Sequence, residues 1–247
     1  MTISAVQPQA GLLATVAHEL RGPLGALETA SEILDRDFDL LDQQQVRVMV
    51  SAIHRRALWL HGLMENLLCA ATVDDGQLRM HRRPLNLLEL IHDTTLLVEP
   101  LLKRRGQRLK VRTCPTVPLV SADSQRLTQV LLNLVSNAAK YAGAETLIEV
   151  VVSLREGRVR LTVADRGPGV PNDKVAHLFE AYNRAGRTDG EGLGIGLSVV
   201  RSIIDAHGGQ VGFANRRGGG AAFWFELPGI AGSLFLNDDT TERKRVG

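Results

Sequence analysis

Two clusters in this chain have residue types and spacing that could do chemistry. The first is His18-Glu19, followed by Leu20-Arg21-Gly22-Pro23-Leu24. An imidazole near its usual pKa of ~6.5 is largely neutral at pH 7, so one ring nitrogen carries a lone pair that can attack an electrophile. A neighbouring carboxylate can hold the proton of the other ring nitrogen and leave that lone pair available. Ala14 and Gly22, at i−4 and i+4, leave a clearing around the ring, and Arg21 can neutralise an incoming anion. The second cluster is Asn133, Asn137 and Tyr141, four apart and therefore on one helix face, with Lys140 beside them. Amide oxygens suit a hard cation such as Mg²⁺, and a lysine one turn along suits phosphate.

Two glycine-containing stretches complement these clusters. Asp165-Arg166-Gly167-Pro168-Gly169 follows a predicted strand. An acid at a strand end can accept the exocyclic amine of adenine while glycine backbone approaches the ring. Gly192-Leu193-Gly194-Ile195-Gly196 opens a predicted helix at Leu197. There, glycine amides and the helix dipole can converge on phosphate. No Gly-Lys-Ser/Thr follows and no strand precedes, so this is neither a Walker loop nor a dinucleotide fingerprint. The polar Arg184 to Glu191 segment before it predicts a mobile lid. Each piece alone has a plainer reading: a solvated helix face, a polar stripe, an Asp-Gly turn. Their order along one chain outweighs those readings. His54, His61, His81, His92, His177 and His207 lack such support and are read as structural.

The elements that must hold these residues divide into two kinds. Residues from about 8 to 73 read as a helical hairpin. In its second arm Val46, Val50, Ile53, Ala57, Leu60, Met64 and Leu67 alternate steps of four and three, a heptad seam. Leu13, Val16, Leu20, Leu27, Ala30 and Leu34 give the first arm a similar stripe. His18, two positions from both Val16 and Leu20, is expected to point away from that stripe. The polar stretch Asp35 to Asp39 is the expected turn, and Pro23 is expected to bend the first helix. Two helices cannot enclose their own apolar stripes, so the hairpin is expected to dimerise into a four-helix bundle.

From about residue 77 the pattern changes to short strands (107–112, 146–154, 158–164, 210–214, 221–227) alternating with helices (86–104, 123–141, 196–207). That alternation predicts an α/β sandwich, a mixed sheet with helices on one face. The expected boundaries are 1–75 for the helical domain, 76–84 for a linker and first strand, and 85–228 for the sandwich. Residues 229–247 are expected to form a loosely ordered tail.

Composition narrows the function classes. With 29 basic and 27 acidic residues the formal charge is +2, which demands no nucleic-acid partner. Cys69 and Cys114 fit no metal or redox spacing and are expected to be buried thiols in a reducing compartment. No apolar run approaches the ~18 residues needed to span a bilayer. The greasiest stretch, Leu147 to Leu154, is interrupted by Glu149. No signal peptide is evident, and a cytoplasmic location is expected.

Over about residues 8–228 the chain resembles the cytoplasmic core of two-component sensor histidine kinases. The ordered blocks around His18, Asn133–Tyr141, Asp165–Gly169, Phe179 and Gly192–Leu197, with a Gly218-Gly219-Gly220 turn, look like that family's H, N, G1, F and G2 boxes and its last glycine box. The resemblance implies a dimerisation and phosphoacceptor domain joined to an ATPase domain of the Bergerat fold. It implies His18 as the phosphorylated residue and Glu19 as its activating acid. Asn137 would be the main Mg²⁺ ligand, with Asn133 assisting and Lys140 near phosphate. Tyr141 would pack by adenine and Asp165 would bind its amine. Gly167 and Gly169 would shape the base pocket, Arg184 would reach phosphate, and Gly192, Gly194 and Gly196 would form the lid hinge leading into Leu197.

The implied reaction is ATP-dependent phosphorylation of His18, then transfer to an aspartate of a response regulator. A homodimer is an implied partner, and because so few residues precede His18 the detector is expected to be a separate sensor protein or a segment missing from this chain. The alternatives weighed are a nucleotide-binding dimeric scaffold that regulates another kinase, and a serine kinase of the same ATPase superfamily. Many relatives carry Thr or Asn four residues after the phosphorylated histidine, where it is thought to position water for dephosphorylating the partner. Gly22 occupies that position here, so weak phosphatase activity is expected.

Overall fold

The structure, a computed structural model, describes residues 7–74, 80–181 and 194–236. Within its first two helices the side chains of 7–15, 18, 19, 58, 59 and 70–74 lie outside that description.

Helix α1 (Gln7–Asp37) runs on through Pro23, whose ring is buried, to a short 3₁₀ turn at Phe38–Leu40. The chain turns two or three residues later than the polar Asp35–Asp39 stretch predicts. Helix α2 (Gln43–Asp74) opens on a reciprocal capping box. Asp42 Oδ1 accepts from the Gln45 amide at 2.7 Å, and Gln45 Oε1 accepts from the Asp42 amide at 2.9 Å. The heptad seam of α2 divides into two rows. Val46, Ile53, Leu60 and Leu67 are half-buried, whereas Val50 and Met64 are 53% and 49% exposed.

The second region begins with β1 (Arg83–Leu85) and α3 (Leu87–Arg104), which Asn86 caps by accepting from the Leu88 amide. Strands β2 (Arg108–Thr113) and β3 (Thr116–Ala122) lead to α4 (Ser124–Tyr141), capped by Asp123. The hairpin β4 (Leu147–Arg155) and β5 (Arg158–Ala164) follows. Then come a single turn α5 (Asn172–Val175), α6 (Gly196–Ala206), β6 (Gln210–Asn215) and β7 (Ala221–Leu236). The strands form one mixed sheet in the order β1-β3-β7-β5-β4-β2, with β6 also paired to β7. Among the described residues, β2–β4 is its one parallel pairing.

Helices α3, α4 and α6 pack together on one face of this sheet, as the alternating pattern predicts. Leu127, Leu131 and Leu134 of α4 and Ile203 and Ile204 of α6 are enclosed with Ile148, Leu161, Phe225 and Leu227 from the strands. The opposite face is covered by charge and needs no second helical layer. Arg160 donates to Glu226 at 2.5 Å and lies over the Trp224 ring at 3.8 Å.

Two sequence expectations need correction here. β3 is absent from the predicted strands, whereas β1 falls at the end of the expected 76–84 linker and first strand. Residues 229–236 are not a loose tail, because β7 continues to Leu236. Its first half pairs with β5 and β6, and its second half pairs with β3 from Gly229↔Val120 to Leu236↔Thr116. Residues 237–247 lie outside the described residues.

Candidate functional site

Helix α4 is the spine of the candidate site. Its buried face (Leu127, Val130, Leu131, Leu134, Ala138) fixes its rotation, which turns Asn133, Asn137 and Tyr141 to the other side. Asn133 and Asn137 are half-buried and Tyr141 is 38% exposed. Lys140 Nζ stands 5.1 Å from the centre of the Tyr141 ring. The predicted grouping on one face is therefore present.

The Asp165 loop meets the end of this helix. A Cβ on Gly167 would collide with the Tyr141 carbonyl, so glycine there lets the loop reach α4. Gly169 has φ +75 and lies against Asn215 and the Gly220 carbonyl, a conformation and a space that exclude other residues. Asp165 is 3% exposed. Its Oδ1 accepts from the Gly167 amide at 2.8 Å and the Ala221 amide at 3.1 Å. No described residue donates to Oδ2. One carboxylate oxygen is thus fixed by backbone while the other keeps its accepting capacity.

Midway along α4, a Cβ on Gly196 would sit 3.5 Å from Asn133 Oδ1, so the start of α6 lies directly on this asparagine. Gly194 has φ +71, which a side-chain-bearing residue rarely adopts. Leu197 is half-buried against the core. The segment leading here starts at Phe179, whose ring meets Phe223 edge-on at 6.4 Å. Arg184, Gly192 and the predicted lid lie outside the described residues.

His18 and Glu19 lie within α1, and their side chains are outside the description. The flanking Val16 and Leu20 are half-buried against the core cluster, as their stripe predicts. A Cβ on Gly22 would meet nothing within 4 Å, so that position is open.

One residue joins the two regions and was missed by the sequence reading. Asn66 of α2 forms a reciprocal amide pair with Asn133. Asn66 Nδ2 donates to Asn133 Oδ1 at 3.1 Å, and Asn133 Nδ2 donates to Asn66 Oδ1 at 3.1 Å. Gln129 Nε2 adds a third bond to Asn66 Oδ1 at 3.1 Å. Helix α6 also packs on α2. A lone asparagine on a heptad helix carries no sequence signal of such a role.

The connector is tied down as well. Asp123 Oδ2 accepts from the His81 amide at 2.9 Å, and the Arg82 guanidinium donates to the Ala206 carbonyl. His207, read as structural, is 3% exposed. Its Nε2 accepts from the Asp123 amide at 3.0 Å while Nδ1 donates to the Ile203 carbonyl at 2.7 Å. Burial pushes its pKa below the ordinary value, and the bond to Ile203 only partly opposes this. Of the two cysteines, Cys69 is buried, with its thiol pKa raised by burial, and Cys114 is half-buried.

Among the described residues no helix is long and apolar enough to cross a membrane, and no cluster of three or more His, Cys, Asp or Glu could hold a metal. Asn137 and Asn133 are a different donor set. Two amide oxygens would leave most positions of a cation to water and phosphate, as suits Mg²⁺, and Asn133 Oδ1 would exchange Asn66 Nδ2 for the ion.

Residues 9–76 match the His Kinase A phospho-acceptor domain. Residues 122–230 match the histidine kinase-, DNA gyrase B- and HSP90-like ATPases. The chain belongs to the histidine kinase family. It is 36% identical over 235 residues to the sensory/regulatory protein RpfC of Xanthomonas campestris pv. campestris, covering 91% of this chain and 32% of that protein. The chain therefore spans about a third of that relative's length. Full-length ShkA, solved in complex with AMPPNP, superposes with a TM-score of 0.65 at 32% identity, covering 94% of this chain and 47% of ShkA. The catalytic domain of histidine kinase ThkA gives 0.55 at 33% identity, covering 61% of this chain and 97% of that domain. ThkA in complex with the response regulator TrrA gives 0.63 at 26% identity, covering 89% of this chain and 61% of that one.

Proposed function

We propose that this chain is an ATP-dependent protein histidine kinase that phosphorylates its own His18 and passes the phosphoryl group to an aspartate of a response regulator. One observation carries the reading. A phospho-acceptor domain containing His18-Glu19 is followed, in one chain, by an ATPase domain whose α6 packs on the acceptor hairpin.

The lone pair of one His18 ring nitrogen attacks the γ-phosphorus, and the bond to the β-phosphate bridging oxygen breaks, releasing ADP. Glu19 holds the proton on the other ring nitrogen and stabilises the positive charge that develops there. Positioning and charge neutralisation supply most of the catalysis, as befits a loose phosphoryl-transfer transition state. Asp165 Oδ2 accepts the adenine amine, with Gly167 and Gly169 admitting the ring and Tyr141 packing beside it. Lys140 and Arg184 face the phosphates, and Gly192, Gly194 and Gly196 let the segment before Leu197 close over them. Asn137, assisted by Asn133, would hold Mg²⁺, which offsets phosphate charge when bound. In the second step a receiver carboxylate attacks phosphorus and the P–N bond breaks, regenerating His18.

ShkA binds a nucleotide analogue and ThkA a response regulator, which supports the same ligand and partner here. The outward row containing Val50 and Met64 supports a homodimer. The reading also puts the chain in the cytoplasm, with its signal coming from a separate sensor or an attached segment. Gly22 leaves dephosphorylation of the regulator without a side chain to position water.

Incubation with γ-labelled ATP and Mg²⁺ tests the reading. Acid-labile, base-stable label that chases onto a receiver domain is the expected result. Nucleotide binding without label would instead leave a regulatory scaffold, and base-labile label on a partner would make the chain a serine kinase.

A further inference from the structure

The mechanism above uses Asp165 and leaves unexplained the buried charge beneath it. Glu149 is the third residue of β4, only 3% exposed, on the sheet face away from the helices. An unpaired carboxylate in that place would be strongly disfavoured. Oε1 accepts from Arg112 at 2.6 Å and Oε2 from Arg216 at 2.7 Å, with Arg166 at 3.7 Å. The Arg216 bond, the largest influence, holds the Glu149 carboxyl below the usual carboxylate range.

Arg216 does more than neutralise Glu149. Its Nη2 binds the carboxylate while its Nη1 donates to the Asp165 carbonyl at 2.9 Å, so one planar fork joins the two acids. Its backbone also shapes the turn into β7. The Arg216 amide donates to the Gly220 carbonyl at 2.9 Å, and its carbonyl accepts from Gly219 at 3.2 Å. Gly220, at φ +100, lies so close to Asp165 that any Cβ would strike the Asp165 carbonyl. The next amide along, Ala221, is one of the two that fix Asp165 Oδ1. At the far end of the same loop, Asn215 Nδ2 donates to the Val170 carbonyl at 2.8 Å and its Oδ1 accepts from the Val170 amide at 2.9 Å. One turn therefore grips both ends of the loop that carries Asp165.

We propose that Arg216, anchored by Glu149, is a positioning residue that sets the base preference of the nucleotide site by fixing the direction of Asp165. This rests on the reading above that Asp165 takes the adenine amine. A carboxylate aimed at the 6-position accepts from an amine and faces a carbonyl oxygen in the 6-oxo nucleotide, leaving two acceptors opposed. The discrimination therefore depends on angle, which Arg216 and Ala221 control together. The buried interruption of the most apolar strand thus acquires a role in recognition.

The test is the ratio of ITP to ATP dissociation constants, measured on the whole chain by calorimetry. The wild type is expected to favour ATP by about tenfold or more, the scale of one paired polar group. Arg216→Ala is expected to bring the ratio several-fold closer to one, weakening ATP far more than ITP. Loss of both affinities by the same factor would assign Arg216 a merely structural role and overturn the proposal. Should Arg216→Ala fail to fold, Glu149→Gln carries the same test in an isosteric variant, with a smaller fall in the ratio expected. Asp165→Asn separates the two levels of inference. If it leaves the wild-type ratio unchanged, the base-reading role itself fails and the positioning role with it. If it abolishes the ratio while Arg216→Ala and Glu149→Gln preserve it, only the positioning claim fails.

Discussion

In the α/β domain Phe225, Leu127, Leu161 and Ile203 are fully enclosed. On the hairpin Val48, Val50, Met64 and Leu68 stand 61%, 53%, 49% and 54% exposed. The sheet has helices on one face and a charged ladder on the other, so the domain is complete in one chain. The hairpin spends one row of its heptad on its own first arm and leaves the second row outward. A second copy of the same surface would cover that row in the proposed homodimer. The closed domain is suited to holding a nucleotide in fixed geometry, and the open one to assembling with others of its kind.

Substitutions can break this contrast. Phe225→Ala removes a side chain from the closed core and is expected to cost about 3–5 kcal/mol, read as a drop in thermal midpoint. An equal loss from Val50→Ala would contradict the contrast. The paired change Val50→Glu and Met64→Glu is expected to shift the chain from dimer to monomer in sedimentation, with nucleotide affinity retained by the α/β domain. An unchanged mass would place the dimer surface elsewhere.

Acid sharpens the contrast further. His207 is held neutral by burial, so its folded pKa lies below the unfolded value of ~6.5. The unfolded chain then binds the proton more readily. Stability of the α/β domain is full above pH ~6.5 and declines as pH falls from there toward the folded pKa. His207→Gln, whose amide oxygen can still accept from Asp123, is expected to flatten that decline. A wild-type midpoint independent of pH between 7 and 5 would contradict the neutral assignment.

Periodic and chemical signals were legible along the chain, while contacts made across the sheet were not. The heptad of α2, the amphipathic α4 and α6, and the β4–β5 hairpin follow from spacing alone, because each is set by one buried stripe. The grouping of Asn133, Asn137 and Tyr141 follows from the same helical period. β3 was hidden because Pro118 interrupts its sequence, yet the residue sits at an irregularity in the ladder with β7. Pro228-Gly229 reads locally as a turn, but the strand runs through it because its partner changes there from β5 to β3. Glu149 looked like a break in an apolar run, since its arginines come from positions 112, 166 and 216. Asn66 was equally invisible, because its partner lies 67 residues away.

The most direct measurement is label incorporation from γ-labelled ATP into the wild type and into His18→Gln, with nucleotide affinity measured on both. The account predicts that the variant binds nucleotide as the wild type does and takes up no acid-labile phosphate. Undiminished incorporation in the variant would contradict it.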